Sequence, residues 1–396
     1  MSEQTSGTPH PRTTRRVRTG IFAGIRLGSV LGFEISLDYS WFIIFFLILV
    51  TFTGAVFPAH VPDLDQMEYL IMGLVGTLLF FGSLLIHELS HAVVARRKGI
   101  EVEGITLFVF GGMARTSREP DTPGDEFLIA GVGPVASFAL AALFYAIAAG
   151  SPRLGLGLEV TVVAEYMGFL NLILAIFNLF PGFPLDGGRL LRAVLWRFTG
   201  SLRKATLVAT TAGRALGWGI IGLGLFALLV GQAFVGGLWF IFIGWFLNHA
   251  ARMSYQHVLL QEVLSPLTVR QAMTPDPETV PPDIPLDTLV NDFFLQRPYN
   301  SFPVTGDDGS VMGLVTLSQV KEVPRLEWPS HSTRKVMTPV EEGLLVGPDE
   351  SMISILDRMR TGEHRRILVV RNGELLGIIS ATDVARWLDR VSLMEE

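Results

Sequence analysis

The chain has 396 residues, of which 49% are hydrophobic and 17% are charged. This is more apolar and less charged than an average soluble domain, and the excess ends near Ala251, which predicts a membrane part followed by a soluble part. The net charge of −6 says little about partners, whereas the lack of cysteine excludes disulfides and thiolate metal ligands, so any zinc site must use histidine and carboxylate.

Residues 1–38 are predicted to form a basic cytoplasmic segment with short strands. Its arginine-rich start and the absence of a small-residue cleavage pattern after the first apolar run argue against a signal peptide. Six apolar segments are long enough, or nearly so, to cross a bilayer core of roughly 30 Å. They cover residues 39–57, 70–95, 127–149, 160–180, 207–231 and 234–251. A polytopic α-helical membrane domain is therefore predicted over 39–256.

Short β elements are predicted next to these spans. Residues 25–39 and 104–115 alternate in part between apolar and polar side chains and are punctuated by glycine, which favours strands or hairpins over spans. Non-helical backbone at membrane depth must be shielded by protein or line a wet cavity. A small sheet beside a metal site would satisfy that requirement, and its edge could pair with an extended substrate.

Basic residues predict the orientation of the chain. They cluster before the first span, after the second, between the fourth and fifth, and after the sixth. The loops on the opposite side, 58–68 and 151–159, contain a single lysine or arginine between them, Arg153. The positive-inside rule therefore predicts a multi-pass protein of the cell membrane with both termini in the cytoplasm.

The second span carries the pattern H-E-x-x-H as His87, Glu88 and His91. Residues four apart on a helix share a face, so the two histidines can bind one zinc ion with Glu88 beside it as a general base. The pattern alone is weak, since about one chain in a hundred of this length would contain it by chance. Two structural histidines are the ordinary alternative, but ionisable residues inside a span are costly and usually functional.

A catalytic zinc site needs a third protein ligand, and Asp186 is the best candidate. It lies near the end of the segment 178–188, where Pro181 and Pro184 break the helix. The fourth span arrives from outside, so this segment should reach the same cytoplasmic depth as His87. The alternative, an aspartate in an ordinary cytoplasmic turn, does not explain why two such motifs share one depth.

The soluble part contains an internal repeat with a period of 64 residues. The triplet Met-Thr-Pro at 273–275 recurs at 337–339, and the register between the copies holds without gaps. Each copy reads strand, helix, strand, turn, strand, helix. Two cytoplasmic α/β repeats are therefore predicted, over 266–327 and 330–391.

These motifs resemble those of the site-2 protease family of intramembrane zinc metalloproteases. That family carries H-E-x-x-H on one span and N-x-x-P-x-x-x-x-D-G on a later one, and the second motif is matched here by Asn178, Pro181, Asp186 and Gly187. The resemblance covers essentially the whole chain. The stretch Gly133–Ser137 also resembles the family's G-P-x-x-N/S element, for which only packing is predicted.

The resemblance implies one zinc ion per chain, bound by His87, His91 and Asp186. Glu88 would take a proton from the attacking water and pass it to the leaving amine. Asn178 would help to position the substrate or stabilise the oxyanion, and its alternative is a capping or interhelical amide.

The repeated part resembles a tandem pair of CBS modules, which can bind adenosine nucleotides. The family's ribose-contacting pattern is present in the second copy as Gly377, Ser380 and Asp383, whereas Gln319 replaces the aspartate in the first copy. One nucleotide site is therefore more plausible than two. The alternative is a structural or dimerising pair that binds nothing.

The predicted function is cleavage of a partner's transmembrane helix near the cytoplasmic side, with the CBS pair as a modulator. By resemblance the substrate is a single-span protein, such as an anti-sigma factor or a membrane-held regulator, and a homodimer can form through the CBS modules. No nucleic-acid partner is expected. The competing hypothesis is a CBS-regulated transporter or channel with a structural metal, for which a general base such as Glu88 has no use.

Overall fold

The computed structural model describes residues 24–231, 234–264, 267–341, 343–361 and 365–387. The chain divides into two compact units, Met1–Gln256 and His257–Glu396. Most of the predicted N-terminal basic segment lies outside the described residues. Each unit is described below by itself.

Within the described residues, six helical segments are long and apolar enough to cross a membrane, as predicted. The first is α1 with a π-turn and the short α2, and the others are single helices, one of them extended by a 3₁₀ turn. Their bounds are α1 Tyr39–Thr51, the π-turn Phe52–Val56, α2 Phe57–His60, α3 Gln66–Arg97, α4 Pro123–Gly150, the 3₁₀ turn Ser151–Leu154, α5 Leu158–Asn178, α7 Leu202–Val230 and α8 Phe234–Leu264.

The helix α3 is longer than its predicted apolar run because its ends are capped by polar residues. Asp65 and Glu68 form a capping box, in which Glu68 N donates to Asp65 Oδ1 (2.8 Å) and Asp65 N donates to Glu68 Oε2 (2.9 Å). Arg96 and Arg97 lie in the last turn, where they complement the helix dipole. The capped helix carries the H-E-x-x-H residues in its last third.

A further helix, α6 (Asp186–Thr199), connects the fourth and fifth spans and was not predicted. Three arginines interrupt its apolar residues, so it has one apolar face and one basic face and is too short to be a span. Between Asn178 and Asp186 the chain is non-helical, as the prolines of that segment predict.

Four strands form one small sheet in the order β1-β2-β3-β4, which confirms the short β elements. Their bounds are β1 Gly24–Val30, β2 Phe33–Asp38, β3 Val102–Phe108 and β4 Gly111–Thr116. Two antiparallel hairpins, β1–β2 and β3–β4, are joined by the parallel pair β2–β3. Buried side chains of β2 and β3, including Ile35 and Ile105, pack with Phe81 and Leu84 of α3. The sheet therefore lies against the helix that carries the histidines.

In the second unit the described residues form two small sheets, β5-β11-β10-β9 and β6-β7-β8, with short helices around them. The bounds are α9 Val269–Ala272, β5 Thr274–Pro275, α10 Leu286–Thr288 with a π-turn at Leu289–Phe294, β6 Ser301–Thr305, β7 Val311–Thr316, α11 Leu317–Glu322, a 3₁₀ turn at Arg325–Ser330, α12 Thr333–Val336, β8 Thr338–Pro339, β9 Leu345–Val346, α13 Met352–Thr361, β10 Arg366–Arg371, β11 Glu374–Ser380 and a helix over 381–387.

The two repeat copies exchange their first strands. The strand β5 of the first copy pairs with β11 of the second, and β8 of the second copy pairs with β7 of the first. These short strands contain the repeated Thr-Pro dipeptides. Each copy therefore completes the sheet of the other, which explains why the triplet recurs at the same place in both copies.

Candidate metal centre

Three side chains from two helices converge inside the first unit. The Nε2 atoms of His87 and His91 lie 3.1 and 3.2 Å from Oδ2 of Asp186, and 3.2 Å from each other. Both histidines are buried, with exposed fractions of 3% and 7%. The structure thus brings together the three residues that the sequence predicts as metal ligands, although His87 and Asp186 are 99 residues apart in the chain.

The other nitrogen of each imidazole contacts α4. His91 Nδ1 lies 2.6 Å from the carbonyl oxygen of Ile129, and His87 Nδ1 lies 2.9 Å from Oγ of Ser137. A carbonyl oxygen can only accept, so His91 donates its proton from Nδ1 and, when neutral, keeps the lone pair of Nε2 for the cluster. Holding the outer nitrogen in this way orients the ring and fixes the tautomer that a metal ligand requires.

The glycine of the G-P-x-x-S element leaves room for the two rings. A Cβ atom at Gly133 would lie 2.2 Å from His91 Nε2 and 2.8 Å from His87 Nε2. The adjacent Pro134 lies inside α4, where a proline cannot donate to the carbonyl one turn earlier and disturbs the ladder of helix hydrogen bonds. The prediction of a packing role for this element was therefore incomplete, because its glycine and Ser137 both face the imidazoles.

One face of α4 carries all of these contacts. Ile129, Gly133 and Ser137 are buried and follow one another at intervals of four residues. The H-E-x-x-H histidines are spaced by the same interval on α3. Matching four-residue spacings on two neighbouring helices was the available signal for Gly133 and Ser137, whereas the carbonyl of Ile129 carries no side-chain signature.

Asp186 is the first residue of α6, and the segment before it is held by α7. The backbone N–H of Phe183 donates to the carbonyl of Ala209 at 3.0 Å. Gly213 permits this approach, because a Cβ there would lie only 2.8 Å from the nitrogen of Phe183 and closer still to its carbonyl oxygen. Backbone contacts therefore determine where α6 begins and where Asp186 lies.

Glu88 lies beside the cluster and under the β3–β4 hairpin. It is partly buried, and a Cβ at Gly112 of β4 would lie 2.3 Å from its Cγ. Within the described part of the chain, its carboxylate has no hydrogen-bond or ion-pair partner. A carboxylate in this position can receive a proton from a group that enters between the sheet and the histidines.

Asn178 is the last residue of α5, and its amide Nδ2 donates to the carbonyl of Leu174 in the same helix at 3.0 Å. Among the described residues, no hydrogen bond links it to the three-residue cluster. Its proposed role in binding substrate stays a prediction.

The cluster fits a zinc ion by donor chemistry and by size. Two imidazole nitrogens and one carboxylate oxygen form a common ligand set for catalytic zinc. Ligand atoms about 2.0–2.1 Å from a tetrahedral zinc lie about 3.3–3.4 Å from one another. The three separations of 3.1–3.2 Å are close to that value. The residues can therefore hold zinc with small adjustments.

In the second unit, Asp383 and Ser380 lie at the start of the helix 381–387. Oδ2 of Asp383 accepts from the N–H and the hydroxyl of Ser380, at 2.9 and 2.6 Å, and Oδ1 accepts from the Thr274 hydroxyl at 3.2 Å. Gln319 occupies the same place in the first copy, where its Oε1 accepts from Thr316 and its Nε2 donates to Thr338 Oγ1 at 2.7 Å.

Comparison with known proteins identifies the chain. The model of peptidase family M50 matches residues 75–153 and 155–220, and the CBS domain model matches 269–325 and 334–390. The zinc metalloprotease Rip3 of Mycobacterium tuberculosis is 37% identical over 366 residues, which cover 92% of this chain and 93% of that protein. The chain belongs to peptidase family M50, the site-2 protease family. The resemblance inferred from the two motifs is thereby confirmed.

The chain is also similar to two further proteins. The zinc metalloprotease MJ0392 of Methanocaldococcus jannaschii is 29% identical over 94% of this chain and 98% of its own length. A solved structure, the site-2 protease from Methanocaldococcus jannaschii, is similar at 27% identity over 59% of this chain and 95% of that chain, with a TM-score of 0.42. The protein is a zinc metalloprotease with a pair of CBS domains, its described residues include six membrane-length helices, and proteases of this family act on membrane-bound substrates.

Proposed function

We propose that this protein hydrolyses peptide bonds within transmembrane segments of partner proteins, using one zinc ion bound by His87, His91 and Asp186. The observation that supports the proposal is the convergence of three ligand atoms at 3.1–3.2 Å beside a glutamate without a partner among the described residues. A soluble substrate would not require this arrangement inside an apolar helix.

A zinc ion bound here would polarise the scissile carbonyl and lower the pKa of water. Glu88 accepts the proton of the attacking water and delivers it to the leaving amide nitrogen, which makes it the general base and then the general acid. His87 and His91 keep their ring orientations through the contacts with α4. Asn178 assists by donating its amide to the substrate or to the developing oxyanion.

The substrate segment binds in an extended form along β4. Among the described strands β4 is the last in the sheet order and pairs on one side with β3, so its other edge offers backbone donors and acceptors. Gly112 on this strand contacts Glu88, so a peptide added to the edge would pass close to the base. A transmembrane helix must unwind locally before it can bind in this way, which favours substrates whose helices are weakened near the site.

The membrane topology supports a cytoplasmic-side cut. Arg96, Arg97 and Lys98 at the end of α3 favour a cytoplasmic location for this end of the helix and for the cluster about two to three turns before it. Both termini are then cytoplasmic and the protein is a multi-pass protein of the cell membrane. The product is a cytoplasmic fragment of a single-span partner, such as an anti-sigma factor or membrane-held regulator, and nucleic acid is not a direct partner.

The decisive experiment replaces Glu88 by Gln in the full-length chain reconstituted with a single-span substrate. We expect cleavage to fall by about 10²–10⁴-fold, because the general base is lost, while bound zinc stays at one ion per chain. Glu101→Gln is the matched control, since Glu101 is exposed beyond the end of α3. Retained cleavage in Glu88→Gln would exclude Glu88 as the general base, and no cleavage by the unchanged protein would favour a transporter or channel with a structural metal. Membrane proteins that accumulate in cells carrying this variant identify the substrate.

We also propose that the CBS pair binds one adenosine nucleotide, with Ser380 and Asp383 at the ribose, and that this binding modulates cleavage, including through a homodimer of CBS pairs. The support is the position of Asp383, whose Oδ1 accepts from Thr274 at 3.2 Å, lies 3.7 Å from Arg386 Nη1 and has a second lone pair that can accept from a ribose hydroxyl.

Asp383→Asn tests the nucleotide proposal, because asparagine keeps an oxygen that can accept from Ser380 and removes the charge. We expect AMP binding to the full-length chain, measured by calorimetry, to weaken about tenfold. Asp307→Asn, an exposed aspartate in the first copy, is the control. Unchanged binding would assign the nucleotide to another place or to none.

A further inference from the structure

A buried ion pair joins α4 to α6 outside the ligand cluster. Arg192 of α6 is 3% exposed and Glu126 in the first turn of α4 is 0% exposed. The guanidinium donates from Nε to Glu126 Oε1 at 2.6 Å, and its Nη2 lies 2.5 Å from the same oxygen. Nη2 also lies 3.1 Å from Oε2 of Glu119. These are short, charge-assisted contacts with little freedom to move.

Such a pair is a poor device for stability alone. The cost of removing two charges from water offsets most of their attraction, so a buried pair often adds nothing over apolar packing. One oxygen of Glu126, Oε2, is buried and has no hydrogen-bond partner among the residues that the structure describes, which adds to that cost. A role in fixing the relative positions of two elements accounts better for the pair.

The two elements that the pair joins are the ones that carry or orient the metal ligands. Glu126 precedes Ile129 by three residues on the buried face of α4, the face that also contacts both histidines through Ile129 and Ser137. Arg192 follows Asp186 by six residues, or about 9 Å along α6. Its guanidinium also lies 5.0 Å above the ring of Phe183, just before Asp186 in the chain.

We propose that Arg192 is a positioning residue for the metal centre. Through Glu126 it keeps the carboxylate of Asp186 next to the Nε2 atoms of the two histidines, where all three can bind one metal ion. The helix α4 is then the common frame for all three ligands: it contacts both imidazoles directly and holds the carboxylate through the ion pair. The proposal rests on the metal site proposed above, and it concerns the affinity and geometry of that site rather than the chemistry of cleavage.

The test measures zinc affinity of the full-length chain in detergent by competition with a chromophoric chelator. Arg192→Met removes the charge and keeps an unbranched apolar chain, and we expect zinc to bind about tenfold or more weakly. Arg192→Lys keeps the charge without the planar fork, and we expect it to recover part of the loss. Arg197→Met, an exposed arginine on the same helix, is the matched control and should bind zinc like the unchanged protein.

A second readout uses Co²⁺ in place of zinc, since its visible absorption reports the coordination geometry. We expect a changed spectrum in Arg192→Met and an unchanged one in Arg197→Met. If Arg192→Met does not fold, Glu126→Gln provides the milder variant, because the amide keeps a hydrogen bond to Arg192 while the charge is lost. A smaller loss of affinity in the same direction supports the proposal.

The outcomes separate this proposal from the one on which it rests. His87→Ala should lose most zinc binding; if it does not, the metal site itself is wrong. If His87→Ala loses zinc but folded Arg192→Met, or Glu126→Gln in its place, binds zinc and cobalt like the unchanged protein, the ion pair has no positioning role. An equal loss in Arg197→Met would also overturn the proposal, because the effect would then be a general one of charge.

Discussion

Asp186 and Asp383 both lie at the start of a helix among polar side chains, but only one of the two groups is complete without a ligand. Asp383 accepts hydrogen bonds from an amide N–H and two hydroxyls, all of which have hydrogens to donate. Asp186 faces two imidazole nitrogens. One of them, Nε2 of His91, carries no hydrogen when the ring is neutral, because the ring then donates its one hydrogen from Nδ1 to the carbonyl of Ile129. The group around Asp186 is therefore suited to share a cation, whereas the group around Asp383 forms a helix cap whose hydrogen bonds are made without one.

This difference determines how far each assignment depends on the resemblance to known families. The metal centre can be argued from distances and donor types, because Asp186 Oδ2 and His91 Nε2, which are both acceptors when that ring is neutral, lie 3.2 Å apart beside a second imidazole nitrogen. The nucleotide site cannot be argued in this way, since Ser380 and Asp383 would have the same geometry in a CBS pair that binds nothing. The predictions below test this contrast.

The largest effect is expected for Gly133→Ala. The added Cβ would lie 2.2 Å from His91 Nε2, so the ring must leave the position that zinc requires. We expect zinc affinity to fall by more than about 100-fold, beyond the loss typical of an altered outer contact. Metal content after dialysis against a weak chelator measures the change.

The control is Gly131→Ala, two residues earlier on the same helix. A Cβ at that position meets only a side-chain carbon of Leu190 at 3.7 Å, which is an ordinary contact. This variant should bind one zinc ion per chain and be no less stable, because alanine has the higher helix propensity. Full zinc occupancy in Gly133→Ala would show that the ligands do not lie where the structure has them.

A smaller loss is expected for Ser137→Ala, which removes the hydroxyl beside His87 Nδ1. The ring keeps its place but loses the partner that orients it, so zinc affinity should fall about 10–100-fold with the zinc stoichiometry unchanged at saturation. Ser254→Ala is the control, because that hydroxyl bonds only the carbonyl of Ala250 in its own helix, among the described contacts. If the two variants bind zinc equally well, Ser137 serves packing alone.

The sequence predicted the spans, the repeat and the convergence of the three candidate ligand residues, since each has a local pattern: long apolar runs, a constant period of 64, or two motifs at one depth. It did not predict α6, because its three arginines among apolar residues look like a basic loop between spans. The contact of the Ile129 carbonyl could not be predicted, because any residue at that position would supply a backbone carbonyl. The pair of Arg192 and Glu126 was equally hidden, since two charges 66 residues apart reveal a contact only once the helices are packed.

Within the second unit, Gln319→Asp tests whether a carboxylate at this place in the first copy is enough to create a second nucleotide site. The carboxylate would face Thr316 and Thr338 as Asp383 faces Ser380 and Thr274. If a carboxylate is what the first copy lacks, the full-length chain should bind two AMP molecules instead of one, the second within about tenfold of the first in affinity. Gln319→Asn is the neutral control, and a stoichiometry that stays at one shows that more than this side chain separates the copies.

The smallest effect concerns an aspartate at the surface. Asp283 accepts two hydrogen bonds from Arg334, both 3.1 Å long, and these hold the pKa of its carboxyl below the ordinary value of about 3.9. The folded chain therefore binds a proton at Asp283 less readily than the unfolded chain does. The ion pair with Arg334 stabilises the fold fully at pH values above the ordinary pKa of aspartate, and this stabilisation is lost as the pH falls through the lowered pKa of the folded chain.

Asp283→Asn should therefore lower the melting temperature of the full-length chain by about 2 °C or less at neutral pH, since exposed pairs contribute little. The difference from the unchanged protein should shrink as the pH falls through the acid range, and 1 M salt should reduce it at neutral pH. Asp307→Asn is again the control. A large effect at neutral pH that persists in acid would mean that Asp283 acts through something other than its charge.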